Sequence, residues 1–251
     1  MVKRYKIVIE YLGTNFSGWQ KQKNNISIQE VFEKAARKLL QEDINSVVAG
    51  RTDSGVHASG QVVHFDINKN IEDSKLLLGL NYHLSKIRNG SDISVKKVKK
   101  KSLNFSARFS ARRKHYQYKI HNSNYRSPLL SETSWWVRKK LDVELMKLAA
   151  NNFIGNNNYN SFRAKGCQAS SPIKTINDVK IIKLKNLITI NFIARSFLYK
   201  QVRIMVGTLR DVGLGYIKHD EIKNIISKKN RQYAGITAPA RGLTLTRVYY
   251  K

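Results

Sequence analysis

The chain has 251 residues, and its 46 Lys and Arg against 17 Asp and Glu give a net charge of +29 and an isoelectric point near 10.2. Hydrophobic residues (41%) are numerous enough for a sizeable core in one large domain or two small ones, which excludes a disordered basic tail. No apolar run approaches the roughly 18 residues of a membrane span, so we expect no membrane association. The charge excess indicates a polyanionic partner, nucleic acid above all, since each cation placed against a phosphate releases counterions.

The start of the chain and its cysteine content favour a cytoplasmic protein. The first residues lead directly into a strand pattern without the apolar core of a signal peptide. The single cysteine, Cys167, cannot form an internal disulfide, as is usual in a reducing compartment. We expect Cys167 to be a packed or half-exposed side chain and not a catalytic thiol.

Residues 1–104 have the pattern of a mixed α+β lobe. Alternating apolar residues predict a strand over 3–11, and Ser27-Ile28-Gln29-Glu30 is a capping box that begins an amphipathic helix over 28–41. The further predictions are strands over 44–49 and 61–67, a helix over 74–84 and a strand over 93–98. A polar loop with two glycines, residues 50–59, connects the strands 44–49 and 61–67.

Residues 105–251 form a second, related lobe in the same pattern. The predicted elements are a strand over 116–120, a helix over 143–154 ended by Gly155, strands over 179–184 and 187–194, a long helix capped by Ser196 and ended by Gly213, a helix over 220–227 and a strand over 243–250. Each lobe is expected to carry helices on one face of a mixed or antiparallel sheet. Because no Pro-rich linker separates the lobes, we expect them to share one continuous sheet or a close interface.

Several familiar cofactor sites are absent from the sequence. Gly13 to Gly18 imitates the start of a phosphate-binding loop, but Trp19 and Gln20 stand where that loop needs Lys and Ser or Thr. No G-x-G-x-x-G motif opens a helix after a strand. The six histidines and one cysteine lack metal-ligand spacing, which argues against zinc and against a zinc deaminase.

Lysines occupy five of the six positions from Lys96 to Lys101, a run with two interpretations. Such a run is often only a solvated face. It is also compatible with a phosphate track, because further cations interleaved with aromatic residues follow it, as suits single-stranded or looped RNA. These neighbours are Phe105, Arg108, Phe109, Arg112, Arg113, Lys114 and Tyr116.

The segment from Gly50 to Ala58 also has two interpretations. Asp53 followed by Ser54 and Gly55 is typical of a simple turn. Alternatively, the glycines allow close approach of a ligand, and Arg51 helps to keep the carboxylate ionised, so that the loop is a reactive site.

The same loop, Gly50-Arg51-Thr52-Asp53-Ser54-Gly55-Val56-His57-Ala58, followed by Gly60-Gln61-Val62-Val63-His64-Phe65, resembles the catalytic motif of the tRNA pseudouridine synthase A (TruA) family. The resemblance extends in family order over nearly the whole chain. Its other segments are 18–22, 105–111, 116–118, 161–164, 201–207 and 238–243. Local departures are Leu12, where the family often has Asp, and Lys114-His115, where arginines are common; they affect RNA contacts and not the reaction.

The resemblance implies a role for five residues. Asp53 would be the catalytic nucleophile, paired with Arg203; Tyr116 would stack on the target base; Arg51 and Leu243 would line the pocket. It also implies that the two related lobes form one catalytic domain with a central basic cleft. The protein would be a homodimer without cofactor or metal, acting on uridines 38, 39 and 40 of the tRNA anticodon stem-loop.

The chemistry of that reaction agrees with these residues. Isomerisation exchanges a C1′–N1 bond for a C1′–C5 bond, so nothing is added or oxidised, and the flipped base needs a closed pocket. A glycosidase would instead place two carboxylates around the bond. The sequence leaves open whether Asp53 attacks C1′ or takes a sugar proton in a glycal route. Two alternative functions also stay open: the same chemistry on other uridines, and RNA binding without turnover.

Overall fold

The computed structural model describes residues 1–250, which form two compact units. The first unit contains Met1–Arg112 and the residues from Leu245 onwards, and the second contains Arg113–Thr244. The division thus lies eight residues beyond the predicted boundary at 104/105. The reason is that Ala107 is held to the first unit, where its N–H donates to His64 Nδ1 at 3.0 Å and its carbonyl accepts from the Tyr250 hydroxyl at 2.7 Å.

Ten strands and five α-helices occur among residues 1–250, which confirms the predicted mixed α+β class. In chain order they are β1 (Lys3–Tyr11), α1 (Ile28–Leu40), β2 (Val47–Val48), β3 (His57–Ile67), α2 (Asp73–Ser85), β4 (Ile93–Lys101), β5 (Arg113–Asn122), β6 (Trp135–Val137), α3 (Val143–Asn151), β7 (Gly155–Asn158), β8 (Ile173–Leu184), β9 (Leu187–Ala194), α4 (Gln201–Gly213), α5 (Glu221–Lys228) and β10 (Leu243–Tyr249). No helix in this part of the chain is both long and apolar enough to cross a membrane.

The strands of the first unit lie in the order β4-β1-β3-β10, with the short β2 beside β3. β1 is antiparallel to both β3 and β4, and its residues Tyr5, Ile7 and Ile9 are fully buried. Helix α1 packs on this face, where the rings of Phe32 and Phe65 lie 6.2 Å apart. The alternate residues of β1 point to the opposite face of the sheet, because side chains of a strand alternate between its faces.

Local hydrogen bonds explain where α1 and β2 depart from their predicted bounds. The capping contact is present, with Ser27 Oγ accepting from the Glu30 N–H at 3.3 Å, and α1 ends one residue early because Gln41 adopts a left-handed conformation at φ 55°. The strand predicted over 44–49 is reduced to Val47–Val48. Its backbone is diverted at Ser46, whose N–H donates to the Glu33 carboxylate at 2.9 Å instead of a neighbouring strand.

The strands of the second unit lie in the order β5-β9-β8-β7, with β6 beside β5. β5 is antiparallel to β9 and parallel to β6, so the pairing is mixed. Two predicted helix boundaries are wrong. α3 ends at Asn151, and Gly155, at φ 117°, begins β7 instead of ending the helix. α4 begins at Gln201 and not after Ser196, because Lys200 adopts a left-handed conformation at φ 58° and the Gln201 side chain accepts the Leu198 N–H at 2.7 Å in the turn before the helix.

Candidate active site

The loop between β2 and β3 contains Arg51 and Asp53 and forms a tight turn. The Val56 N–H donates to the Asp53 carbonyl at 3.1 Å, and Gly55 within the turn has a φ of 75°, which suits glycine. Asp53 is half-buried at the turn, whereas Arg51 is exposed. The backbone of residues 53–56 therefore forms a turn, as the sequence indicates, with the half-buried Asp53 as its first residue.

A glycine-bearing segment after β1 holds this loop at the level of the backbone. The Trp19 N–H donates to the Thr52 carbonyl at 3.1 Å. Gly18 has a φ of 99°, and a Cβ on it would lie 2.6 Å from the Thr52 carbonyl oxygen and 3.0 Å from the Asp53 carbonyl carbon. A Cβ on Gly13 would lie 2.1 Å from the carbonyl oxygen of Val56. The segment that imitates a phosphate-binding loop thus serves to fix the backbone of the aspartate loop.

A buried hydrogen-bond network supports the loop from the sheet. The Tyr11 hydroxyl lies 2.8 Å from Thr52 Oγ1, and the Gln61 amide donates to the Tyr11 hydroxyl at 3.2 Å and to the Gly50 carbonyl at 2.9 Å. Burial raises the pKa of Tyr11 to about 12, so the phenol stays protonated at neutral pH. Tyr11 and Gln61 thereby hold the loop at Gly50 and Thr52, immediately before Asp53.

Two further buried groups fix the chain on either side of the loop. His57 Nδ1 accepts the Gly13 N–H at 2.9 Å, so this ring nitrogen carries no proton. Upstream, Glu33 accepts from Ser46 and from the Lys21 ammonium at 2.9 Å each. Burial opposes ionisation of Glu33, but the hydrogen bonds, led by the Ser46 N–H, outweigh it and lower the pKa of the carboxyl. A charged acceptor therefore anchors the chain shortly before the aspartate loop.

In the second unit, Tyr116 lies on β5 and is buried. Its ring packs edge-on against Phe197, with centroids 5.3 Å apart. Tyr118, two residues further along, points to the same face of the sheet, and its hydroxyl donates to the Pro239 carbonyl at 2.8 Å. A Cβ on Gly242 would lie 2.5 Å from the Tyr118 ring, so the 239–242 turn packs directly against β5.

The segment that contains this turn also supports Arg203 and Leu243. Arg203, on α4, donates from Nε to the Ala238 carbonyl at 2.8 Å, and the Ala238 N–H donates back to the Arg203 carbonyl at 3.0 Å. Leu243, the first residue of β10, is buried where the turn ends. In the second unit, residues 238–242 thus fix Arg203 and Leu243, and Tyr116 is fixed by its place on β5.

The supporting residues were not identified as such from the sequence. Tyr11, Gln61 and Gly18 have no chemical signature of their own, although Gly18 and Gln61 lie in segments that resemble the family. Their roles depend on contacts between residues far apart in the chain. Among residues 1–250, no group of three or more His, Cys, Asp or Glu side chains is arranged to hold a metal ion.

Comparison with known proteins agrees with the resemblance of the loop. The model of a family described as tRNA pseudouridine synthase matches residues 7–110 and 149–251. A protein of Ehrlichia canis (strain Jake), named tRNA pseudouridine synthase A, is 47% identical over 250 residues, covering 98% of this chain and 100% of the relative. Proteins of the same name from Anaplasma phagocytophilum (strain HZ) and Thermoanaerobacter sp. (strain X514) are 46% and 43% identical, covering 98% and 99% of this chain and the whole of each relative. The chain therefore belongs to the tRNA pseudouridine synthase family.

Proposed function

We propose that the protein isomerises uridine to pseudouridine in tRNA. The observation that carries the proposal is the aspartate loop, whose backbone is held by Gly18, Trp19 and the Tyr11–Gln61 network. Holding a reactive group in place in advance lowers a barrier, since a displacement of about 1 Å can cost a hundredfold in rate. The full-length similarity to relatives named tRNA pseudouridine synthase A supports the same conclusion.

Asp53 is the proposed catalytic residue, acting as nucleophile on C1′ or as the base of the glycal route. Either role needs an ionised carboxylate, and a partly buried carboxyl retains its charge best beside a cation. Arg203 is the proposed partner, as the family resemblance implies. Its Nε donates to the Ala238 carbonyl, which fixes the direction of the guanidinium. Arg51 is proposed to line the same pocket.

Tyr116 and Leu243 are the proposed contacts of the flipped base. A uridine taken out of its stack loses a few kcal/mol, part of which an aromatic ring can return. The Tyr116 ring is already supported by the edge-on contact with Phe197, at 5.3 Å between the ring centroids. Leu243 offers an apolar wall that keeps water from C1′ while the uracil turns.

The more specific proposals, on the target nucleotides and on the assembly, rest on the family resemblance. The target nucleotides are uridines 38, 39 and 40 of the anticodon stem-loop, and the enzyme acts as a cytoplasmic homodimer without cofactor. The alternatives are the same reaction at other uridines and RNA binding without turnover. Mapping pseudouridine along the tRNA after reaction distinguishes the first alternative, because it would leave positions 38 to 40 unmodified.

Release of tritium from C5-labelled uridine in unmodified tRNA tests the reaction, since bond formation at C5 expels that hydrogen. We expect release by the wild type and none by Asp53→Ala or the isosteric Asp53→Asn, with tRNA affinity retained. The matched control is Asp43→Asn, an exposed carboxylate of the same unit, which should react like the wild type. Normal release by Asp53→Asn would refute the role of Asp53, and binding without release by the wild type would favour the RNA-binding alternative.

A further inference from the structure

One face of the first unit carries four lysines side by side on neighbouring strands. β4 and β1 pair so that Lys99 lies opposite Lys6, Lys97 opposite Val8 and Lys101 opposite Arg4. Lys6 lies between the buried Tyr5 and Ile7, and Lys97 and Lys99 flank the buried Val98, so the four lysines lie on the face of the sheet that α1 does not cover. We call Lys6, Lys97, Lys99 and Lys101 the lysine row.

The structure divides the basic run of β4 into lysines with and without partners. At Lys96 the register shifts, and this residue instead forms an ion pair with Glu10 at 2.9 Å. Lys100 donates to the Asn70 side chain at 2.8 Å. Within residues 1–250, Lys97, Lys99 and Lys101 have no carboxylate within ion-pair distance. The adjacent Arg4 is already held by Asp66 at 2.6 Å, so the local acid does not neutralise the row.

The four ammonium groups repel one another. Lys6 lies over the Tyr250 ring at 4.1 Å, and its pKa is lowered first by burial and then by the charges of Lys101, Lys97 and Lys99. Alternate residues of a strand are about 7 Å apart, so the three β4 lysines form a periodic line of positive charge. A polymer with repeated negative charges would relieve this repulsion along the whole line, whereas a single small anion would reach only part of it.

The distance from the aspartate loop locates the contact on the RNA. Lys6 lies opposite His64 of β3, seven residues beyond His57, where the aspartate loop ends. At about 3.3 Å per residue, this places the centre of the row about 23 Å from the base of the loop. Resting on the proposed function, we propose that the lysine row binds the sugar–phosphate backbone of tRNA at a site remote from the target uridine.

The test compares two triple variants of equal charge. Lys97→Gln, Lys99→Gln and Lys101→Gln remove the β4 lysines of the row and keep Lys6 on its aromatic ring. Lys34→Gln, Lys38→Gln and Lys75→Gln remove three exposed lysines from α1 and α2. Either variant has a net charge of 29 − 3 = +26. The measurements are tRNA dissociation constants from 50 to 300 mM salt, tritium release under the same conditions, and binding to vesicles containing anionic lipid.

For the row variant we expect tRNA binding on the order of 10–100-fold weaker at 0.1 M salt, and a salt slope smaller by about 2–3, one unit for each lost phosphate contact. Because the contact is remote, the loss should appear in KM and not in kcat, and the helix variant should bind nearly as the wild type does. Equal weakening in both variants, unchanged affinity in the row variant, or a loss confined to vesicle binding would each overturn the proposal. A wild type that binds tRNA but releases no tritium refutes the proposed function, while the affinity ratio of the two variants still decides on the row.

Discussion

Substitution of Gly18 by alanine tests whether this glycine positions the aspartate loop. It should lower both the activity and the free energy of unfolding, whereas a strained backbone elsewhere should lower only the free energy of unfolding. A φ of 99° costs an L-residue about 1–2 kcal/mol. In addition, the new Cβ would lie 2.6 Å from the Thr52 carbonyl oxygen, whereas an ordinary contact needs at least 3.4 Å, so the loop must move by close to an ångström. With an overpacking cost of about 1–3 kcal/mol, the free energy of unfolding should fall by about 2–5 kcal/mol in total.

The displaced loop carries Asp53, so activity should fall more than stability alone explains. We expect kcat to fall by about a hundredfold in the fraction that remains folded, consistent with a displacement near 1 Å. The matched control is Gly215→Ala, at φ 77° with no atom within 4 Å of the new Cβ, which should lose about 1–2 kcal/mol of stability and no activity. Urea unfolding and tritium release measure the two effects. A folded Gly18→Ala protein with wild-type kcat would refute the claim that this glycine positions the loop.

Two further predictions concern the buried polar groups of the first unit. Tyr11→Phe leaves Thr52 and Gln61 without the hydroxyl between them and should lower the free energy of unfolding by about 1–3 kcal/mol in urea titrations, whereas the exposed Tyr82→Phe should change little; equal effects would contradict the role of the network. Burial, and then the charge of Arg4, lowers the pKa of His64, although Asp66 opposes the shift, so the folded protein holds this histidine neutral. Its contribution to stability is present above the unfolded pKa of about 6.5 and lost as the pH falls below it, so between pH 7.5 and 5.5 the wild type should lose up to about 1 kcal/mol more than His64→Gln; parallel pH profiles would disprove this linkage.

Local patterns predicted the elements whose ends are determined locally. The alternation over 3–11 matches β1, and Ser27 caps α1 as its spacing indicates. Ser196 misled the prediction because the chain makes a further turn before α4, in which the Gln201 side chain accepts the Leu198 N–H. The strand predicted over 44–49 failed for a related reason, since Glu33, on a different element, takes the Ser46 N–H. A backbone hydrogen bond that is taken by a side chain leaves no periodic signal in the sequence.

The same limit applies to the site and to the basic run. The resemblance implies a role for Asp53, but only the folded chain shows that Gly18 and Tyr11, more than thirty residues away, hold its loop. For the run from Lys96 to Lys101, composition favours neither a solvated face nor a phosphate track, because both need only exposed lysines. The register of β4 against β1 favours the phosphate track: Lys96 falls at a register shift and forms an ion pair with Glu10, whereas Lys97, Lys99 and Lys101 lie in a line with Lys6, where their charges add. A charge of +29 predicts a polyanionic partner, and strand register is what predicts where on the protein that partner lies.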